Sequence, residues 1–295
     1  MRRFLLAAVM FGAVSGAEAA DMPDFLRGSL PGGSATRNWD GWYAGGQIGY
    51  TSADIDFGHG TKTLTNFMLR NTVLQDPVSQ WSLFSKNHAQ STGFGAFVGR
   101  NFQWDDLVFG VEANYNYMNN LGSSVQNSMS LLIVNPSGEN PPTGHTHTYA
   151  TTLSGKAALQ VKDAVTFRGR FGWATGNFLP YVFGGLAVGR MDVSRSATVF
   201  YNKFDDFDVT TTTIIGGVAV NNTVHNTVFL GSNTYSQTER RNNNFTAGWT
   251  GGLGMEYMLW SNVFMRGEWE YIKFLKVKDM VVNMNSARLG IGYKF

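Results

Sequence analysis

From Gly41 onward the chain alternates apolar residues with small or polar ones in segments of about ten, the length of a tilted strand crossing an outer membrane. Eight such segments can be read. In the first, residues 42–51, Trp42, Ala44, Gly46, Ile48 and Tyr50 share one parity and Tyr43, Gly45, Gln47 and Gly49 the other. The second, 93–104, sets Phe94, Ala96, Val98 and Phe102 on its apolar side; Arg100 lies on that side too, near an edge where its head can reach water. The third opposes Leu107, Phe109, Val111, Ala113 and Tyr115 to Gly110, Glu112, Asn114 and Asn116. The fourth, ending at Trp173, opposes Phe167, Gly169, Phe171 and Trp173 to Thr166, Arg168, Arg170 and Gly172. The fifth, 178–190, is apolar on both parities and has no readable orientation, although Pro180 suits a strand end. The sixth, 245–258, places Phe245, Ala247, Trp249, Gly251, Leu253, Met255 and Tyr257 against Thr246, Gly248, Thr250, Gly252, Gly254 and Glu256. The seventh sets Met265, Gly267, Trp269 and Tyr271 against Arg266, Glu268 and Glu270. The eighth, 286–295, sets Ala287, Leu289, Ile291, Tyr293 and Phe295 against Arg288, Gly290, Gly292 and Lys294.

Connection lengths carry independent information. Segments two and three, four and five, and six and seven are joined by a few residues, whereas long gaps follow the first, third and fifth. Alternating short and long connections fit short periplasmic turns and long extracellular loops. The predicted fold is all-β: an eight-stranded antiparallel up-and-down transmembrane β-barrel with three long extracellular loops and one short one. A soluble sandwich would carry polar residues where this chain carries tryptophan, phenylalanine and leucine. The stretch from Val209 to Ile215 with that from Thr223 to Leu230 is β-prone, and either extends strands five and six as a ribbon or shields the barrel mouth.

The start of the chain agrees. Arg2 and Arg3 precede an apolar run too short to span a bilayer, and Ala17-Glu18-Ala19 supplies a small-x-small exit, so residues 1–19 read as a secretory signal peptide. Residues 20–40, with Pro23, Pro31, Gly32 and Gly33, read as a periplasmic leader, and 41–295 as the barrel. Removing the signal segment takes the formal charge from +2 to +1, which suggests no nucleic-acid partner. The absence of cysteine excludes disulfides and every thiolate site. The 35 glycines and 22 phenylalanines against 7 prolines suit a curved, lipid-facing sheet.

Charge placement bears on whether the barrel conducts. Glu112, Arg168, Arg170, Glu256, Arg266, Glu268, Glu270 and Arg288 all fall on the inward parity, where they can pair instead of meeting lipid. Eight strands close a cylinder that side chains can fill, so a plugged, ion-paired interior is expected and a narrow ion path is the alternative.

Six blocks also carry a family resemblance: the run from Gly41 to Tyr50; Phe109-Gly110-Val111-Glu112; Phe167-Arg168-Gly169-Arg170-Phe171-Gly172-Trp173; Phe178-Leu179-Pro180-Tyr181 with Gly184-Gly185; Arg266-Gly267-Glu268-Trp269-Glu270-Tyr271; and Leu289 to Phe295. In this order they resemble the small eight-stranded outer-membrane proteins of alphaproteobacteria, the porin-family or outer-membrane β-barrel domain proteins. The resemblance implies a cell outer membrane location after export through the Sec pathway. It also implies contact with outer-membrane lipid and insertion by the barrel-assembly machinery, with Leu289, Ile291, Tyr293 and Phe295 as the assembly signal. Trp269 stands where tyrosine is more usual, and the first and third loops are unusually long.

Some relatives in that family bind hemin, which directs attention to the histidines. His59, His88, His145, His147 and His225 all lie in segments read as extracellular loops. His145-Thr146-His147 places two imidazoles on one side of an extended segment, a possible hemin or metal site that lacks a third ligand at recognisable spacing. His88 with Ser82, Ser85 and Ser91 is the nearest approach to a nucleophile system, without a glycine elbow or an ordered acid, so no enzyme is expected. The expected function is structural: an outer-membrane protein supporting envelope integrity and presenting surface loops to a host or neighbouring surface. A hemin or metal receptor and a low-conductance porin are the competing readings.

Overall fold

Strands that are apolar on one face gain nothing in lipid unless every backbone group is paired, which in a membrane requires the sheet to close on itself. The structure, a computed structural model describing residues 37–295, does this. Strands β1 (Gly41–Asp56), β2 (Lys86–Trp104), β3 (Leu107–Val134), β4 (His145–Trp173), β5 (Phe178–Ile215), β6 (Val218–Met258), β7 (Val263–Phe274) and β8 (Val281–Lys294) pair in sequence order as a closed antiparallel barrel. β8 completes the ring against β1, from Lys294 opposite Tyr43 to Val281 opposite Asp56. The signal segment and most of the leader lie outside the described residues.

The lower half of the cylinder follows the alternation. Residues of the apolar parity are exposed on the outside, with Trp42, Trp104, Trp173, Tyr257, Trp260 and Tyr293 toward the turn end and Tyr50, Phe94, Tyr117, Phe245 and Trp249 toward the other. These aromatics mark the two interfaces of a spanning band. Arg100, on the lipid-facing parity, lies over the rings of Trp42 and Phe102, 5.6 and 4.9 Å from their centroids. β5, apolar on both parities, turns Leu179, Tyr181, Phe183 and Ala187 inward and Phe178, Val182, Leu186 and Val188 outward.

Above the upper aromatic band the structure departs from the expected loops. β5 and β6 are 38 and 41 residues long, against about ten needed for a crossing. Their hairpin closes through Gly216 and Gly217, both in the left-handed region (φ +61° and +84°), as a two-residue turn requires. Of the three loops expected to be long, the third is therefore strand almost to its tip, and the second is reduced to residues 135–144. Only the first remains long, and it carries two short helices, α1 (Lys62–Met68) and α2 (Gln75–Ser79).

The extension is a sheet because its sequence also alternates, in shifted phase. Bulges between Val161 and Asp163 on β4, and between Met191 and Val193 in the β5–β6 pairing, break the ladders just above the band. On β4 the inward set changes from even numbers (Thr166, Arg168) to odd (Val161, Leu159, Ala157, Leu153). Leu64, Leu69, Leu74, Val78, Leu83 and Phe84 of the first loop pack against those residues, joined by Met280 and Val282 from the β7–β8 side.

Candidate functional site

All eight inward charges are buried within the spanning band, and the structure joins them into one cluster of four carboxylates and four guanidiniums. Glu112 on β3 is the centre. It accepts from Arg266 and Arg168, each at 2.5 Å, from Arg170 at 3.4 Å and from the hydroxyl of Tyr43 at 2.8 Å. Glu256 receives Arg170 at 2.8 Å and Arg266 at 3.1 Å. Glu268 lies 2.5 Å from Arg168, 3.2 Å from Arg266 and 3.3 Å from Arg288. Glu270 is held by Arg288 at 2.6 Å and by the Thr250 hydroxyl at 2.7 Å. Five of the eight strands, β3, β4, β6, β7 and β8, contribute these charges, and each charge has an opposite neighbour. Buried ions need that compensation, since desolvation would otherwise make each of them prohibitive.

Aromatic rings complete this layer. Arg168 lies 3.9 Å from the Phe183 centroid, Arg170 3.9 Å from that of Tyr181 and Arg266 3.9 Å from that of Phe97. The Tyr181 hydroxyl donates to Glu268. Sequence reading missed Tyr43, Phe97, Tyr181 and Phe183 as partners, although Tyr43 had been placed on the inward parity. The available signal was the inward glycines: a side chain at Gly99 would strike the Tyr43 hydroxyl, and one at Gly254 would come within 2.6 Å of the Tyr181 ring.

Two apolar layers bracket the charges. At the turn end Trp39, Tyr43, Phe97, Val108, Leu179, Met258 and Phe264 form a separate buried cluster, with Trp39 edge-on to Phe264 at 6.3 Å. Trp39 comes from the segment read as leader, so the last residues of that segment dock in the barrel mouth. At the other end sits the helical cap described above. It is tied down by Arg195, a buried cation on β5 that pairs with Glu239 (2.7 Å) and Asp279 (3.2 Å) and donates to the carbonyls of Gly60 and Lys278, each at 2.9 Å. Burial raises the Glu239 carboxyl, yet bonds from Lys278 and Arg195 outweigh it and hold the group at about 2.

The histidines need correcting on one point: His88, His145, His147 and His225 lie in strands, not loops, because β2, β4 and β6 run past the membrane. His145 bonds Asp205 at 2.8 Å and His147 bonds Glu139 at 2.6 Å. Glu139 also accepts from Lys203 at 2.8 Å and from the Tyr149 hydroxyl; burial opposes its ionisation, but these bonds hold its carboxyl at about 2. Among the described residues no three histidine, aspartate or glutamate side chains are grouped to hold a metal ion. His88 bonds Asp54 and shares no contact with Ser82, Ser85 or Ser91 among the described hydrogen bonds. Leu289 and Ile291 face outward on β8 opposite Ile48 and Gly46, Tyr293 lies opposite Ala44, and the Phe295 amide donates to the Trp42 carbonyl at 2.8 Å.

The sequence model of the outer membrane protein beta-barrel domain family matches residues 4–295. The chain is 24% identical over 203 residues to the 25 kDa outer-membrane immunogenic protein of Brucella ovis, covering 68% of this chain and 62% of the relative. It is 28% identical over 215 residues to the 31 kDa outer-membrane immunogenic protein of Brucella melitensis, covering 68% and 65%. The chain thus spans less than two thirds of the length of these relatives. Among solved structures it is similar to Neisserial surface protein A (14% identity, 86% of this chain and 97% of that one, TM-score 0.34). It is also similar to the attachment invasion locus protein Ail of Yersinia pestis, solved with the heparin analogue sucrose octasulfate (14%, 86% and 99%, TM-score 0.34). This chain is an outer-membrane protein and belongs to the outer membrane protein beta-barrel domain family.

Proposed function

We propose that the protein is a sealed structural barrel that supports the integrity of the outer membrane and holds a rigid sheet above it, and that it neither conducts solutes nor catalyses a reaction. One observation carries the reading: three filled layers follow one another along the axis, the Trp39 cluster, the charged layer around Glu112, and the apolar cap fastened by Arg195. An ion entering from either end would have to displace packed side chains, and an eight-stranded cylinder has no spare width for a bypass. The receptor reading gains no support from His145 and His147, whose ring nitrogens already face Asp205 and Glu139. Removal of the protein from its native membrane, combined with sugar-uptake swelling of liposomes containing the purified barrel, tests the proposal. The expected result is greater sensitivity of the cells to detergent and no swelling. Rapid swelling, or cells indifferent to its loss, would contradict it.

A further inference from the structure

Inside the membrane every strand has two neighbours, but above it four strands continue further than the rest. Pairing of β2 with β3 stops at Gly93 opposite Met118, and pairing of β7 with β6 stops at Phe274 opposite Gly248. Beyond those points β3, β4, β5 and β6 form a four-stranded plate whose outer edges are β3 and β6. The lower part of each edge is covered. Asn127 donates to the Leu83 carbonyl and Asn87 to Ser123 along β3, and Lys278 pairs with Glu239 beside β6. Higher up, residues 128–134 of β3 and 218–238 of β6 join no backbone ladder on their outer side among the described residues.

Natural sheets protect such edges with charge, proline or a short strand. Neither run contains aspartate, glutamate, lysine, arginine or proline. Each instead carries an exposed apolar stretch, Leu131, Leu132 and Val134 on β3, and Val228, Phe229 and Leu230 on β6. Following the ladders across the plate, Ile133 pairs with Tyr149, Tyr149 with Lys203 and Lys203 with Gly231, so the two apolar stretches stand at matching positions on opposite edges.

We propose that copies of this protein associate through these plates, the upper β3 edge of one copy pairing with the upper β6 edge of the next. The barrel itself favours a second copy as the occupant. β3 runs outward from the membrane and β6 runs back toward it, and all copies are inserted with one orientation, so β3 against a neighbour's β6 is antiparallel, the more stable ladder. A peptide arriving from solution would have to be ordered on the edge, whereas a neighbouring barrel presents its edge already rigid and confined to the same plane. The contact is head-to-tail, so it propagates into rings or rows and does not stop at a dimer. It is independent of whether the barrel conducts.

The chain has no cysteine, so Ser130→Cys on β3 and Ser232→Cys on β6 can be combined in the full-length protein and bridged in whole cells with a short bis-maleimide. Dimers and higher multimers are expected from the double variant and only monomer from each single one. Adding Leu132→Lys, which puts a charge on the edge, should reduce the multimers by about tenfold or more. Heat-dependent electrophoretic migration checks that this variant still forms the barrel. Monomer alone from the double variant, multimers indifferent to Leu132→Lys, or adducts with a different protein in their place would each overturn the proposal.

Discussion

Glu112 accepts hydrogen bonds from three guanidiniums and a tyrosine, and it shows how the interior of this barrel is held. Removing it leaves Arg168, Arg170 and Arg266 short of their shared anion in a site closed to water, so Glu112→Ala should destabilise the barrel by about 3–5 kcal/mol. Urea unfolding in detergent micelles measures this, and a loss below about 1 kcal/mol, the range of an exposed pair, would show that the lattice is not a coupled unit. The charged residues were legible in the sequence because lipid enforces alternation: a charge in the middle of a spanning strand has the inward parity, and Arg100 faces outward only near the edge, over Trp42 and Phe102. Their aromatic partners were not, because tyrosine and phenylalanine are acceptable on both faces. β5 had no readable orientation for that reason. Its inward Tyr181 and Phe183 are apolar surfaces for Arg170 and Arg168, so nothing in its pattern distinguished lumen from lipid.

Among the elements, the membrane halves of the strands were legible, and of their extensions only the β-prone ribbon of residues 209–215 and 223–230 was. Above the band water replaces lipid, outward positions become serine, threonine and asparagine, and the bulges near residue 162 on β4 and residue 242 on β6 shift the phase, so the rest of the continuing strands read as loops. The helical cap was invisible for another reason: α1 and α2 are 7 and 5 residues long and lack a side-chain N-cap, so packing against the plate and not local propensity sustains them. Ion pairs hold the extension together, and this gives it a pH dependence. Glu139 and Glu239 have folded-state values of about 2 against an ordinary 4.5. Their contribution is complete above about pH 4.5 and is lost as pH falls through about 2. Near-ultraviolet circular dichroism of the packed tyrosines Tyr149, Tyr201 and Tyr235 should therefore weaken across that interval while the far-ultraviolet strand signal persists. An unchanged tyrosine signal at pH 2, or its loss already above pH 5, would contradict the assignment.

For the whole molecule, the fold followed from one constraint applied eight times: a backbone in lipid must pair completely, and a ring of strands is the way a sheet achieves it. An ion-paired plug was expected from the inward parity of the charges, but the apolar layers on either side of it were not legible, because they depend on contacts distant along the chain. Arg195 meets Gly60 and Asp279, and Trp39 meets Phe264. In the proposed function these contacts close the cylinder at both ends. Planar-bilayer recording of the purified protein, with insertion verified independently by a fluorescent label, tests that claim most directly. The sealed barrel predicts a silent membrane with no discrete conductance steps after insertion; reproducible unitary steps from the unmodified protein would contradict it.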